Sequence, residues 1–382
     1  MSELRKQSIA ETRRLVIKVG SKLLVHLHSK GQSKWGVNKE YIQSLAKSIV
    51  ALRKEGMEVV LVSSGAVGAG MSELKMEQRP KEIETRQACA SVGQVKLMHT
   101  YEKAFREFDV HVGQVLVGAD DFRNRERYLN IHSTVNALLN LGCVPIVNEN
   151  DTVAVEEIKV GDNDKLSADI TQFLDAQMLM IFTDEDGLYD KNPKTNPDAL
   201  VLSEVERIDD NILNLAEGGR GSEISTGGMQ TKLEALRQVT ESGCAAILAN
   251  GTKVLPDEIV QGSNAGSFFV PRKERMPSKD RWLSFVSTPA GVITVDQGAQ
   301  NALQQDGSSL LVMGISKIEG HFRSGDLVAI QTPTGVEVAR GAANSESGVL
   351  KELLGMPKEQ RRKLPKRTRI AVHRNNMVVH ND

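Results

Sequence analysis

From Leu15 to about residue 270, short aliphatic and β-branched runs alternate with longer stretches whose apolar positions recur every three to four residues. The short runs, Leu15–Val19, Val59–Val62, Val110–Val117, Val144–Val147, Met178–Thr183 and Ala245–Ala249, predict strands. The stretches Lys39–Glu55, Thr85–Phe108, Leu129–Leu141, Leu166–Ala176 and Gly228–Ser242 predict helices. Such alternation predicts an α/β fold, a mostly parallel sheet sandwiched by helices, because parallel neighbours need a long crossover that a helix supplies. In these sheets ligands bind beyond the carboxyl ends of the strands, so the polar turns that follow each apolar run are where chemistry is expected.

The pattern changes after Phe269. Pro271–Lys279 is charged, proline-bounded and aperiodic, and reads as a linker. Short β runs follow at Gly291–Val295, Ser309–Val312, Asp326–Ile330, Val336–Arg340 and Arg369–His373, spaced by Gly and Ser turns. The expected organisation is an α/β domain over residues 10–270, a linker over 271–281 and a separate β-rich domain over 282–376.

Composition narrows the function classes. At 382 residues, two domains fit comfortably, and a net charge of −1 gives no global pull toward nucleic acid or membrane. Cys89, Cys143 and Cys244 are far apart and odd in number, which favours free thiols in a reducing compartment over a disulfide framework. Met1–Arg14 is charged, and no run approaches the ~20 apolar residues of a membrane helix. A cytoplasmic protein with no membrane partner is expected. The eight histidines are scattered without a metal-ligand spacing, so no protein-held metal centre is expected.

Six motifs carry the candidate chemistry. Asn148-Glu149-Asn150-Asp151 follows one apolar run, and Gly161-Asp162-Asn163-Asp164-Lys165 precedes a helix; together they suit a small ligand bearing both an ammonium and a carboxylate. Lys18 closes an apolar strand and is followed by Gly20, which suggests a lysine reaching a phosphate. Ser63-Ser64-Gly65-Ala66-Val67-Gly68-Ala69-Gly70 is either an anion nest or a tight strand-to-helix turn. Thr183-Asp184 ends another strand. Ser225-Thr226-Gly227-Gly228-Met229-Gln230-Thr231-Lys232 opens a helix and has the makings of a phosphate cradle.

Taken together and in this order, Ile17-Lys18-Val19-Gly20-Ser21, Val62-Ser63-Ser64-Gly65-Ala66, Asn148-Glu149-Asn150-Asp151, Lys159-Val160-Gly161-Asp162-Asn163-Asp164, Thr183-Asp184-x-x-Gly187-Leu188-Tyr189 and Thr226-Gly227-Gly228-Met229-x-Thr231-Lys232 resemble the amino-acid kinase family. The pairing of Asn-Glu-Asn-Asp with Val-Gly-Asp-Asn-Asp resembles the glutamate-phosphorylating branch and not those acting on acetylglutamate, aspartate, carbamate or uridylate. The tail resembles a PUA domain. One departure is Ser225, where the family commonly has Gly.

The resemblance implies ATP-dependent phosphorylation of the side-chain carboxylate of L-glutamate, the first step of proline biosynthesis, with ATP and Mg²⁺ as cofactors and the metal held mainly by ATP phosphates. It implies Lys18 and Lys232 on the transferring phosphates, with Asp184 holding the two lysines and neither lysine anchoring the core. Gly20, Thr183, Asp184, Thr226, Gly227, Gly228, Met229, Gln230, Thr231 and both lysines would bind ATP. Ser64, Gly65, Asn148, Asp151 and Asn163 would bind glutamate, Asp151 taking the α-ammonium. Asp162 and Asp164 are organisers or ligands. Proline as feedback inhibitor, a dimer or tetramer, and contact with the next enzyme of the pathway are further implications. The rival from another class is RNA binding by the tail, where residues 351–374 hold nine basic residues against Glu352 and Glu359. That run lacks the interleaved aromatics of single-strand binders, which favours a structural or regulatory module.

Overall fold

The computed structural model describes residues 1–27, 35–118, 121–122, 125–153, 163–193, 195–215, 228–275, 289–305 and 307–380. They divide into two compact units, one of Met1–Gly118 with Ile131–Arg275 and one of Ala119–Asn130 with Met276–Asp382. Among the described residues no helix is long and apolar enough to cross a membrane.

In order along the chain, the first unit is built from α1 (Glu3–Ala10), β1 (Arg14–Val19), α2 (Ser21–Leu24), β2 (Val25–Leu27), β3 (Trp35–Val37), α3 (Lys39–Lys54), β4 (Glu58–Val62), α4 (Ala66–Glu73), α5 (Ile83–Arg106), β5 (Val112–Val117), the part of α6 (Arg125–Asn140) from Ile131 onward, β6 (Val144–Glu149), α7 (Asn163–Phe173), β7 (Met178–Thr183), β8 (Glu204–Val205), α8 (Asp210–Asn214), α9 (Met229–Glu241), β9 (Ala245–Asn250), α10 (Pro256–Val260) and β10 (Ser267–Phe269). Eight of the strands form one sheet in the order β5-β6-β4-β1-β7-β9-β10-β8. Pairing is parallel except between β9 and β10, as the βα alternation requires. The remaining strands, β2 and β3, pair as a short antiparallel hairpin.

β1 lies mid-sheet and is buried from Leu15 to Val19. Leu15, Ile17 and Val19 enter one core cluster with residues of α3, β4, α5, β7 and β9. Lys18 alternates to the opposite face, where α7 packs across β1. Registry places Lys18 beside Val62 of β4 and Ile181 of β7, Val62 beside Val147 of β6, and Thr183 beside Asn250 of β9. The carboxyl ends of β6, β4, β1, β7 and β9 therefore share one edge. The chain leaves β1 toward β4 on one side and later returns to β7 on the other. That reversal of strand order opens a crevice at this edge.

The glycine-rich run after β4 serves packing as well as turning. Gly65 sits at φ +90 and starts α4, a conformation that an L side chain resists. Further on, α4 and α5 cross backbone to backbone. A Cβ on Gly93 would lie 1.8 Å from the Ala66 carbonyl oxygen and 2.3 Å from the Gly70 nitrogen, and one on Gly70 would lie 1.8 Å from the Cys89 carbonyl oxygen. Gly70 thus belongs to a helix crossing, and the anion-nest reading of the run does not extend to it.

The second unit holds β11 (Gly291–Val295), α11 (Gln297–Gln304), β12 (Leu310–Leu311), β13 (Ile315–Gly320), β14 (Leu327–Gln331), β15 (Glu337–Ala343), α12 (Ser347–Gly355), α13 (Lys358–Lys363), α14 (Lys366–Arg369) and β16 (Ile370–Val379). Its six strands form a sheet in the order β12-β16-β15-β14-β11-β13. Ile293, Val295, Ile330, Val338, Leu350 and Val372 contribute to its own core. Two details differ from expectation. The run Ser309–Val312 ends as a 3₁₀ turn over Val312–Gly314, and β13 carries no alternating signal because only Ile315 and Ile318 are buried along it. Of the expected linker, residues 276–281 lie outside the described residues, while Arg275 is tied to the first unit by hydrogen bonds to the Asp175 and Ala176 carbonyls at 2.9 and 2.7 Å.

Gly93→Ala is expected to force α5 off α4 and to cost at least the ~1–3 kcal/mol typical of overpacking, read as a fall in Tm. Gly348→Ala, where nothing lies within 4 Å of the added methyl, is the control and should leave Tm nearly unchanged.

Candidate active site

At the carboxyl edge a buried ion cluster joins three elements. Asp164, in the first turn of α7, is fully buried. Its Oδ1 accepts from the Lys18 ammonium at the end of β1, and its Oδ2 accepts from Lys232 Nζ of α9 at 3.0 Å. Lys18 is 3% exposed and Lys232 8%. Thr231 Oγ1 reaches the same Oδ2 at 3.4 Å and also donates to the Gly228 carbonyl at 3.0 Å. Two ammoniums thus share one carboxylate in a dry setting, where buried charge is tolerated only with partners of opposite sign. The start of α9 turns its N-terminus into the same region, where backbone N–H groups without helical acceptors favour an anion.

One residue earlier on α7, Asn163 starts a second cluster. Its Nδ2 donates to the Ser63 carbonyl at 2.7 Å, Ser64 Oγ at 3.0 Å and Asn148 Oδ1 at 2.9 Å. Asn148, 2% exposed on β6, donates through Nδ2 to Gln94 Oε1 of α5 at 2.8 Å and accepts from the Glu149 N–H at 2.9 Å. Asn163 Oδ1 is buried without a hydrogen-bond partner. Asp151 lies in the turn after β6, half-buried, and burial pushes its carboxyl up to about 6.

With this geometry in place, comparison with known proteins identifies the relatives. A model of the amino acid kinase family matches residues 13–250, and one of the PUA domain matches residues 291–363. The chain belongs to the amino acid kinase family. Among similar proteins, the glutamate 5-kinase of Syntrophotalea carbinolica is 43% identical over 380 residues, spanning 98% of this chain and 100% of that protein. The glutamate 5-kinase of Moorella thermoacetica is 44% identical over 349 residues, 91% of this chain and 90% of that one. Carbamate kinase from Giardia lamblia, solved bound to AMP-PNP, matches with a TM-score of 0.50 and 15% identity over 69% of this chain and 100% of that chain, a likeness of fold alone.

Within this member of the amino acid kinase family, the expected residues fall into three groups. Ser64, Asn148 and Asn163 are brought together, and Lys18, Thr231 and Lys232 gather around Asp164. The third group departs from expectation. Asp184 does not hold Lys18 and Lys232; it pairs with Lys22 of α2 at 2.7 Å, both partly exposed. Partial burial raises the Asp184 carboxyl, but the Lys22 hydrogen bond and charge outweigh it and leave it below its ordinary value. The reason is one of position: Asp184 follows β7, whereas Asp164 is carried across β1 by α7 and reaches both lysines. Both lysines are buried. Gly20 was expected to offer its N–H to phosphate, yet that N–H donates to the Phe182 carbonyl at 3.0 Å in continuation of the β1–β7 ladder. Gly65 is a turn residue. Gln230 directs its side chain to Glu234 at 3.2 Å, Met229 is half-buried at the start of α9, and the Thr183 hydroxyl donates to Asp184 Oδ1 at 3.2 Å. Asp162, Thr226 and Gly227 lie outside the described residues.

Sequence reasoning missed Lys22, Gln94, and Asn250 with Lys253, which hold Asp186 at 2.8 and 2.7 Å beside the end of β7. Lys22 carried a signal, standing four residues after Lys18, in α2 just beyond the end of β1. Gln94 carried none. Among the described residues no three His, Cys, Asp or Glu side chains converge to hold a metal ion, and Asp164 already serves two ammoniums.

Asp164→Asn is expected to cost more stability than Lys18→Met or Lys232→Met. Losing the carboxylate removes the anion shared by two buried cations, in the range of ~3–5 kcal/mol for a broken buried pair. Losing one lysine leaves Asp164 paired with the other. Urea unfolding of the three variants measures the order.

Proposed function

We propose that this chain phosphorylates the side-chain carboxylate of L-glutamate with ATP, giving L-glutamyl 5-phosphate and ADP, the first step of proline biosynthesis. The observation that carries the reading is the adjacency of Asn163 and Asp164. One residue serves an amide-rich polar pocket with a carboxylate nearby, and the next serves a cationic, buried pocket. An amino-acid acceptor and a polyphosphate donor can thus meet across one helical turn. Relatives named glutamate 5-kinase at 43% and 44% identity over nearly the whole chain support the same acceptor.

The chemistry asks little of acid–base groups. The acceptor carboxylate is already ionised at neutral pH, so its oxygen attacks the γ-phosphorus as the bond to the β–γ bridging oxygen breaks, and the electron pair leaves with ADP. No proton needs to move. What must be supplied is alignment of two anions and relief of their mutual repulsion. In this reading Lys18 and Lys232 supply the positive charge, held in position by Asp164, and the N-terminus of α9 supplies N–H donors. Lys22, paired with Asp184, sits at the rim of the same edge. Asp151 takes the substrate's α-ammonium, and Ser64, Asn148 and Asn163 hold its polar groups. Magnesium, in the same reading, arrives on the phosphate oxygens and not on protein ligands.

ADP release with a panel of acceptors, glutamate, acetylglutamate, aspartate, carbamate and uridylate, tests the acceptor assignment. Glutamate is expected to dominate, and its product should be trapped by hydroxylamine as the hydroxamate. Dominance of any other acceptor contradicts the reading.

The Asp151 carboxyl, raised to about 6, yields a prediction with a definite sign. Below pH 6 the free protein carries a neutral Asp151, so an incoming ammonium must displace a proton. Glutamate affinity should fall roughly tenfold between pH 7 and pH 5, with ATP affinity changing less. The raised carboxyl also means that fold stability from this group falls as pH climbs from about 4 to about 6. Asp151→Asn is therefore expected to weaken glutamate about tenfold or more at pH 7, to abolish this pH dependence, and to leave the protein at least as stable as before.

A second prediction concerns the phosphate side. Lys232→Met should lower turnover by ~10²-fold or more at saturating ATP, the scale of losing one donor to developing charge. Near-normal turnover would remove Lys232 from the phosphate-side role.

A further inference from the structure

We propose that Gln94 is a positioning residue for the substrate's amino group, standing at the head of an amide chain, Gln94–Asn148–Asn163, whose hydrogen-bond direction the backbone dictates. The proposal rests on the glutamate reading above and extends it to a residue of α5 outside the recognised motifs. A carboxamide has nearly the same shape either way round, so what it presents to a ligand depends on its neighbours. Here two backbone groups remove the choice. The Glu149 N–H can only donate, so the atom of Asn148 that it meets at 2.9 Å must be the oxygen. The Ser63 carbonyl can only accept, so the atom of Asn163 that it meets at 2.7 Å must be the amide nitrogen. The Asn163 nitrogen then donates to Asn148 Oδ1 at 2.9 Å, and the Asn148 nitrogen is left to face α5. Gln94 Oε1 receives it at 2.8 Å.

The chain has a functional end. With its nitrogen engaged by three acceptors, Asn163 turns its oxygen away from them, and that oxygen is buried with no partner. A buried carbonyl oxygen of fixed direction is an acceptor awaiting a donor. The substrate group that donates is the α-ammonium, with Asp151 supplying the countercharge. Gln94 itself is placed tightly, because its neighbour Gly93 makes the backbone crossing with α4 in which a Cβ would lie 1.8 Å from the Ala66 oxygen. The crossing that anchors α4, the helix following Ser64 and Gly65, therefore also sets the height at which Gln94 meets Asn148.

Gln94→Met deletes the acceptor while keeping the length of the side chain. It strands a buried N–H of Asn148 and loosens the chain behind Asn163. The glutamate KM is expected to rise about tenfold, with kcat and the ATP KM within twofold of wild type. Glutarate, which lacks the amino group, should suffer far less, so the preference for glutamate over glutarate in kcat/KM should shrink about tenfold. Gln94→Glu keeps an acceptor oxygen at the same place and is expected to restore most of that preference. If Gln94→Met does not fold by circular dichroism, Gln94→Ala takes its place in the same assay. The proposal is overturned if the glutamate KM stays within twofold of wild type. It is equally overturned if the glutamate and ATP KM values rise together, or if the Glu variant is no better than the Met variant. Wild-type enzyme that fails to phosphorylate glutamate at all counts against the functional reading itself, and the two failures are told apart in one experiment.

Discussion

One carboxylate, Asp164, holds the site together. It is fully buried, and it is bonded to lysines from two other elements, the end of β1 and the first turn of α9. A buried carboxylate is tolerable only with partners, and each lysine is tolerable only with an anion. The three groups therefore constrain one another and fix how α7 and α9 sit over the sheet. Further along the same helices, Gln238 of α9 donates to Asp169 of α7 at 2.7 Å and Gln172 of α7 donates to the Gln238 carbonyl at 2.8 Å, so the two helices are pinned at a second level. In the proposed reading these two lysines also meet the phosphates, so that binding energy is concentrated where charge grows during transfer.

The acceptor side depends on a different constraint, the approach of two helices through glycine. Gly70 and Gly93 let α4 and α5 touch backbone to backbone, which sets where the Ser63–Gly65 turn and Gln94 stand relative to β6. Because Asn163 and Asp164 are consecutive on α7, a shift of that helix moves both clusters together. In the proposed reading, donor and acceptor sites are coupled through the first turn of one helix.

Much of this was legible in the residues. Met178–Thr183 and Gly291–Val295 begin and end where their β-branched and aliphatic runs do, because a strand buried on both faces leaves an uninterrupted apolar signature. Lys18 and Lys232 were legible because a lysine ending a buried strand and a lysine in a helix's first turn are each unfavourable without an anion. The choice between Asp164 and Asp184 was not. Both follow polar motifs at the same sheet edge, and only the packing of α7 across β1 decides which carboxylate lies between the lysines. Gln94 was invisible for a related reason: one polar residue on the 24-residue helix α5 looks like solvated surface until Asn148 is seen beneath it. β13 escaped because burial along it skips two residues at a time and mimics neither strand nor helix.

The central claim is the proposal that the buried Lys18–Asp164–Lys232 cluster is the phosphate site, and ligand-dependent thermal unfolding of the Asp164→Asn protein tests it most directly. Adenosine and ATP share the nucleoside and differ in the phosphates. With the shared carboxylate gone, the two buried lysines gain more from an incoming polyphosphate, so the account predicts that ATP raises the Tm of Asp164→Asn by more than it raises that of wild type, while adenosine moves neither by a comparable amount. If ATP shifts the variant no further than adenosine does, the phosphates do not lie at this cluster and the account is wrong.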